Sequence, residues 1–94
     1  MNEIRVTCVT KPNRNSAHEH ITHLGGSGWI QKREDVIWAI DNNRNLYYTR
    51  DLYGNVAIVV VVRESGKLPY LRTKADGKLT DNLLHLTECS LYGA

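Results

Sequence analysis

The sequence is poor in cysteine, in proline and in long apolar runs, and each shortage closes off a class of protein. Two cysteines in 94 residues are too few for a disulfide-dense secreted scaffold. No apolar stretch approaches the ~20 residues that a helix needs to cross a bilayer. The opening run MNEIRVTCVTKPNR does not have the charged-then-apolar order of a signal peptide. Two prolines, and no tract rich in Pro, Gly or Ser, leave no linker to divide the chain, and no internal repeat is present. Charge of one sign is scarce as well. Twelve Lys and Arg against ten Asp and Glu give +2, spread without a basic tail or an acidic block, which names no partner. The expected compartment is the cytoplasm, where Cys8 and Cys89 are expected to be buried or free thiols rather than a disulfide.

What is there suits one folded unit. Apolar residues make up 41% and charged residues 23%, ordinary globular usage and far from the signature of disorder. A chain of this length buries roughly 60–68% of its unfolded surface, enough for one core, so residues 1–94 are read as a single domain. Ile4 to Thr10 alternate apolar and polar, with Ile4, Val6 and Cys8 on one side, and predict a strand. A second short strand is expected over Glu19 to Leu24, with Gly25, Gly26 and Gly28 as a turn. Lys32 to Asp41 predicts the helix: at 100° per residue Val36, Ile37 and Ile40 share one side and Trp38 points nearly opposite. Glu34 and Asp35 complement the helix dipole, and Asn42 and Asn43 are stop residues. Leu46 to Arg50 and Val56 to Arg63 read as a hairpin, and Tyr70 to Thr73 as a further strand. Leu83, Leu84 and Leu86 lead to Cys89, either extended or as a short helical turn.

The fold class read from this is α+β, an antiparallel sheet of four to five strands with one helix packed on it. VAIVVVV, Val56 to Val62, is apolar on both faces and typical of a central, doubly covered strand. One short helix covers one face of such a sheet. The other must be met by the C-terminal segment, by strongly curled strands or by a partner, which includes a second copy of the chain.

Taken together, VTCVTKPNR, HEHITHLGG, EDVIWAI and YLRTKADGKLTDNLLHLTEC resemble the DUF3892 family, short bacterial and phage-type proteins of unknown function, from Ile4 to Cys89. The resemblance implies a compact stand-alone domain and brings no catalytic assignment. Chemistry must therefore come from the residues. His18, His20 and His23 do not converge on one ion on either a strand or a helix, and zinc would need Cys8, Cys89, His85 or a carboxylate brought in by the fold. They are read as polar loop histidines, with no metal and no cofactor expected. Cys8 and Cys89 follow the apolar rhythm of core positions rather than a catalytic context. GGSG has neither the P-loop Lys-Ser/Thr nor the full dinucleotide fingerprint.

Binding is the remaining class, and no enzyme activity is expected. Arg72, Lys74 and Lys78 flank the Asp76-Gly77 turn, with Arg14, Arg44 and Arg50 available if the fold gathers them. Tyr47, Tyr48, Tyr53 and Tyr70 lie on or beside strands, where aromatic faces stack unpaired bases. Trp38, facing away from the packed side of the helix, is a candidate interface anchor, weighed evenly against packing on Trp29 or the Gly-rich turn. The leading expectation is a non-enzymatic interaction module, binding another protein or self-associating as a homodimer, as would suit a phage or mobile-element accessory or inhibitor protein. The alternative is a single-stranded nucleic-acid binder. Trp38, Arg14, Arg50, Tyr48, Arg72 and Lys74 are the candidate contact residues, and no small-molecule substrate or membrane is expected.

Overall fold

The computed structural model describes residues 1–13 and 15–89. Among the described residues there are nine strands and one α-helix, and the strands form two sheets rather than one. The first, in the order β1-β5-β6-β7-β8, joins β1 (Asn2–Arg5), β5 (Asn45–Arg50), β6 (Val56–Val62), β7 (Tyr70–Ala75) and β8 (Lys78–Thr80). The second, in the order β4-β3-β2-β9, joins β4 (Trp29–Lys32), β3 (His23–Gly26), β2 (Cys8–Thr10) and β9 (Thr87–Glu88). Each is mixed: β1 runs parallel to β5 and β2 parallel to β9, the other pairs being antiparallel. The α+β class and the single helix stand, whereas the purely antiparallel single sheet is corrected.

The correction begins at Val6 and Thr7. The extended run expected over Ile4 to Thr10 is split there: the Val6 amide donates to Tyr48 O at 2.7 Å and the Thr7 amide to Gly25 O at 2.9 Å, so one passage of chain serves both sheets. Ile4 packs against the core and Val6 and Val9 are inside it, which strict alternation does not allow and a corner at Thr7 does. The second expected strand is also displaced. His18–His20 is a 3-10 turn, and Gly25 and Gly26 belong to β3, paired with Cys8 and Trp29, leaving Ser27 and Gly28 (φ 79°) as a two-residue hairpin turn.

The helix α1 (Arg33–Asp41) starts and stops where its residues predict. Its first amide is satisfied by Thr22 O at 2.8 Å, and Asn42 closes it, backbone and side chain both donating to Trp38 O. Asn43 takes φ 55°, the left-handed conformation that Asn tolerates. Val36 and Ala39 are buried, Ile37 and Ile40 pack at the margin, and Trp38 is 57% exposed. The core lies between the sheets and under this helix. Tyr47, Val59 and Leu71 of the first sheet meet Val9 and Leu24 of the second, with Ile21 and Leu83 filling the ends. Leu83 comes from a 3-10 turn over Asn82–His85, so the C-terminal segment is a helical turn followed by a two-residue strand.

Cys8 and Cys89, expected as thiols, are joined by a disulfide, with Cα atoms 4.9 Å apart across 81 positions. Expected compartment was a poor guide to two residues that the parallel pairing of β2 with β9 sets side by side. Gly25 is what makes room. A Cβ there would lie 2.8 Å from both sulfurs, and one on Gly26 would lie 2.5 Å from the Trp29 indole nitrogen and 2.7 Å from Arg5 O.

Candidate protein-interaction face

Side chains alternate across β6, so the strand sorts its own residues. Ala57 and Val59 point into the core, while Val56, Ile58, Val60 and Val62 line the outer face of the first sheet, Val56 at 42% exposure and the other three half-buried. β6 is central in its sheet, as its composition implies, but among the described residues it is not doubly covered. The helix and the second sheet pack on the same, inner side.

Register turns the outer face into rows. Tyr48 lies opposite Ile58, Ile58 opposite Lys74, and Lys74 opposite Leu79, which is 47% exposed. Beside it Arg50 lies opposite Val56, and Val60 opposite Arg72. Arg5 joins the edge opposite Tyr48, its guanidinium donating to Arg50 O at 3.1 Å. The Arg50 guanidinium in turn sits 5.9 Å from the Tyr48 ring centroid, within cation–π range. Four expected contact residues, Tyr48, Arg50, Arg72 and Lys74, thus share one face. Glu3 is on it too, opposite Leu46, and Arg72 is held by Asp81 at 2.8 Å.

The face extends into two features. At one end the β5–β6 turn carries Leu52 and Tyr53, 100% and 91% exposed. Asp51 fixes that turn: its carboxylate accepts from the Tyr53 and Asn55 amides at 2.8 and 2.9 Å and from Asn55 Nδ2 at 3.0 Å. These bonds, the Asn55 side chain foremost, hold its carboxyl below the usual range. Large apolar residues are thus presented on a braced turn rather than a floppy one. At the other end β5 and β6 stop pairing after Tyr48 and Ile58, and a cleft of about 370 Å³ opens there, lined by Ile58 and Val60 of the outer face together with Val59, Val61 and the helix residue Ile40 of the inner side, and by Arg63.

The other expected residues go elsewhere. Trp38 is on the helix, behind the sheet, with the Arg44 guanidinium 5.7 Å from its ring. Trp29 instead sets its ring against Tyr47, the centroids 6.0 Å apart. Arg14 lies outside the described residues. Tyr47 is fully buried, bonded to Gln31 at 2.6 Å and set against Trp29, and Tyr70 is buried with its hydroxyl on Glu64. Two of the four tyrosines considered for base stacking are therefore inaccessible, because inward parity in β5 takes one and the 64–67 turn covers the other.

The histidines do not converge, and no group of three potential ligands forms among the described residues. His18, expected in a polar loop, is buried instead. Its Nε2 has no hydrogen-bond partner among the described residues and lies 3.9 Å from Asp81 Oδ1. Burial, and then Arg72, lower its pKa below 6.5, outweighing Asp81.

A family model described as a protein of unknown function, DUF3892, matches residues 5–87. The chain belongs to the DUF3892 family. The matched span takes in the helix and both sheets except for most of β1 and the end of β9, so the β5–β8 part of the outer face and the braced turn lie within the DUF3892 domain. No curated protein and no solved structure matches the chain. Tyr53 was expected only as a ring for base stacking and Leu52 not as a contact at all, although Asp51 and Asn55 at that spacing, ahead of Val56, are the signal of a braced turn.

Proposed function

We propose that this DUF3892 domain is a non-enzymatic interaction module that docks another protein on the outer face of its first sheet. The observation that carries the reading is the row Val56, Ile58, Val60 and Val62, continued by Leu79 and by the Leu52–Tyr53 turn. An apolar sheet face rimmed by cations is the composition of an interface, with a poorly hydrated centre and a polar margin. Arg5, Arg50 and Lys74 outnumber Glu3 there, which favours an acidic partner over a second copy bearing the same charges. What supports this reading over a Cys–His nucleophile is that Cys8 and Cys89 are tied to each other and His18 is buried beside Arg72 and Asp81 rather than beside a cysteine.

The test places Ile58→Lys and Val60→Lys on the outer face and Trp38→Ala on the helix. Crosslinking of the tagged protein in native-host lysate, with and without nuclease, should yield a partner that survives nuclease, is lost with either lysine variant and is kept with Trp38→Ala. Light scattering should give a monomer. A partner indifferent to both lysine variants rejects the reading, and a dimer that they dissolve would replace the foreign protein with a second copy.

A second reading, single-stranded nucleic-acid binding, is favoured by one arrangement only: Arg50 over Tyr48, with Lys74 two strands away in the same row. A gel shift at low salt that Tyr48→Ala abolishes would support it.

A further inference from the structure

We infer that Cys8 and Cys89 form a reversible dithiol/disulfide couple, a modification site for a small or protein-borne dithiol, which latches the C-terminal segment onto the second sheet. The inference is independent of the docking face. What distinguishes a latch from a permanent staple is whether the bond opens without the core opening, and the surroundings of this bond allow that. Neither cysteine belongs to the core cluster, which Leu83 already completes from the C-terminal side. Leu84 and Leu86 still pack at the margin of that core, and beyond Leu86 the attachment thins to the β9 edge, where Glu88 Oε1 also accepts from the Lys11 amide at 3.5 Å. β9 pairs with β2 through two residues, both exposed, and Cys89 adds one backbone bond, its amide donating to Val9 O at 2.9 Å. The sulfurs lie over the bare backbone of Gly25, where no side chain fits. Cys8 is the more open of the pair, half-buried against Cys89 at 7% exposure.

Exchange follows from that difference in access. A donor thiolate attacks the Cys8 sulfur, the S–S bond breaks, and Cys89 leaves as a thiolate that takes up a proton. The donor's second thiol then attacks its own half of the mixed disulfide, releasing Cys8 as a thiol. Two electrons and two protons pass to the protein, and the donor ends as a disulfide. With the bond gone, what keeps Thr87 to Cys89 on the edge among the described residues is the short β2–β9 pairing, the Cys89 amide on Val9 O and the Lys11 amide on Glu88.

The test uses the full chain and dithiothreitol as the dithiol. Protein equilibrated across reduced-to-oxidised dithiothreitol ratios, without denaturant, is quenched with N-ethylmaleimide, weighed by mass spectrometry and followed by hydrogen exchange. The expected result is none or two labels, never a stable single label, with the far-UV spectrum unchanged. Amide exchange at 87–89 should accelerate by about tenfold or more on reduction, and oxidised dithiothreitol should restore protection. Cys8→Ser with Cys89→Ser should exchange like the reduced protein at every ratio. The inference is overturned if the bond yields only where the protein unfolds, if both cysteines label after oxidation, or if reduction leaves exchange at 87–89 unchanged.

Discussion

His18 shows how a single side chain can make this fold sensitive to acid. It is buried beside Arg72 and Asp81, and burial with the nearby guanidinium disfavours its charged form. Its pKa is thus lower folded than unfolded, and the unfolded chain takes up the proton first. The stabilising difference is whole above 6.5 and is lost as pH falls through the lowered folded value. Denaturant midpoints measured across that window should decline toward acid, and His18→Gln should flatten the decline while leaving neutral-pH stability within about 1–2 kcal/mol of the parent. An equal decline in the variant would move the acid sensitivity to another group. The sequence showed a histidine in a polar run and nothing of its surroundings, since the burying neighbours come from β7 and the segment after β8, more than fifty positions away. Trp38, by contrast, was legible in position, because exposure on a helix follows from the 100° step within a few neighbouring residues.

Elements whose signal is local were readable, and those set by distant pairing were not. The helix, the β5–β6 hairpin and the Asp76-Gly77 turn, with φ 53° and 78°, each follow from residues within one or two turns of chain. The second sheet does not. β4 and β9 are short, and β9 exists only because the last described residues return to the edge of β2. Gly25 marks where that long-range geometry writes itself into the sequence: two adjacent glycines read as a flexible turn, yet Gly25 is a strand residue made small by two sulfurs. Gly25→Ala should therefore prevent the bond from seating or push β3 off β2, costing about 1–3 kcal/mol as an overpacked site. Gly28→Ala meets open space and pays only for its φ of 79°. Thermal melts separate the two if each is run with and without reductant: the Gly25→Ala deficit should shrink once the sulfurs are free to move, and the Gly28→Ala deficit should not.

The molecule closes between two sheets, and what closes it is the return of the C-terminal segment. Its two attachments differ in kind. Leu83 inserts a fully buried side chain among Val6, Val9, Leu71 and their neighbours, while Cys89, buried but apart from that cluster, ties the segment to β2 by a covalent bond. A cavity at Leu83 removes core contacts from both sheets at once, so Leu83→Ala should cost about 2–5 kcal/mol, a large share of the 5–15 kcal/mol typical of a domain. Because that cost falls on the cluster around Leu83, to which neither cysteine belongs, the loss should be similar in oxidised and reduced protein, within about 0.5 kcal/mol. Urea denaturation of four species, parent and Leu83→Ala in each redox state, completes the cycle. Strong coupling, with Leu83→Ala harmless in the oxidised protein and ruinous in the reduced, would mean that the disulfide rather than Leu83 holds the sheets together. Near-additivity would place the closure in the apolar core and leave the outer face of the first sheet, with its open row of β6 side chains, outside the forces that fold the chain and free to serve a partner.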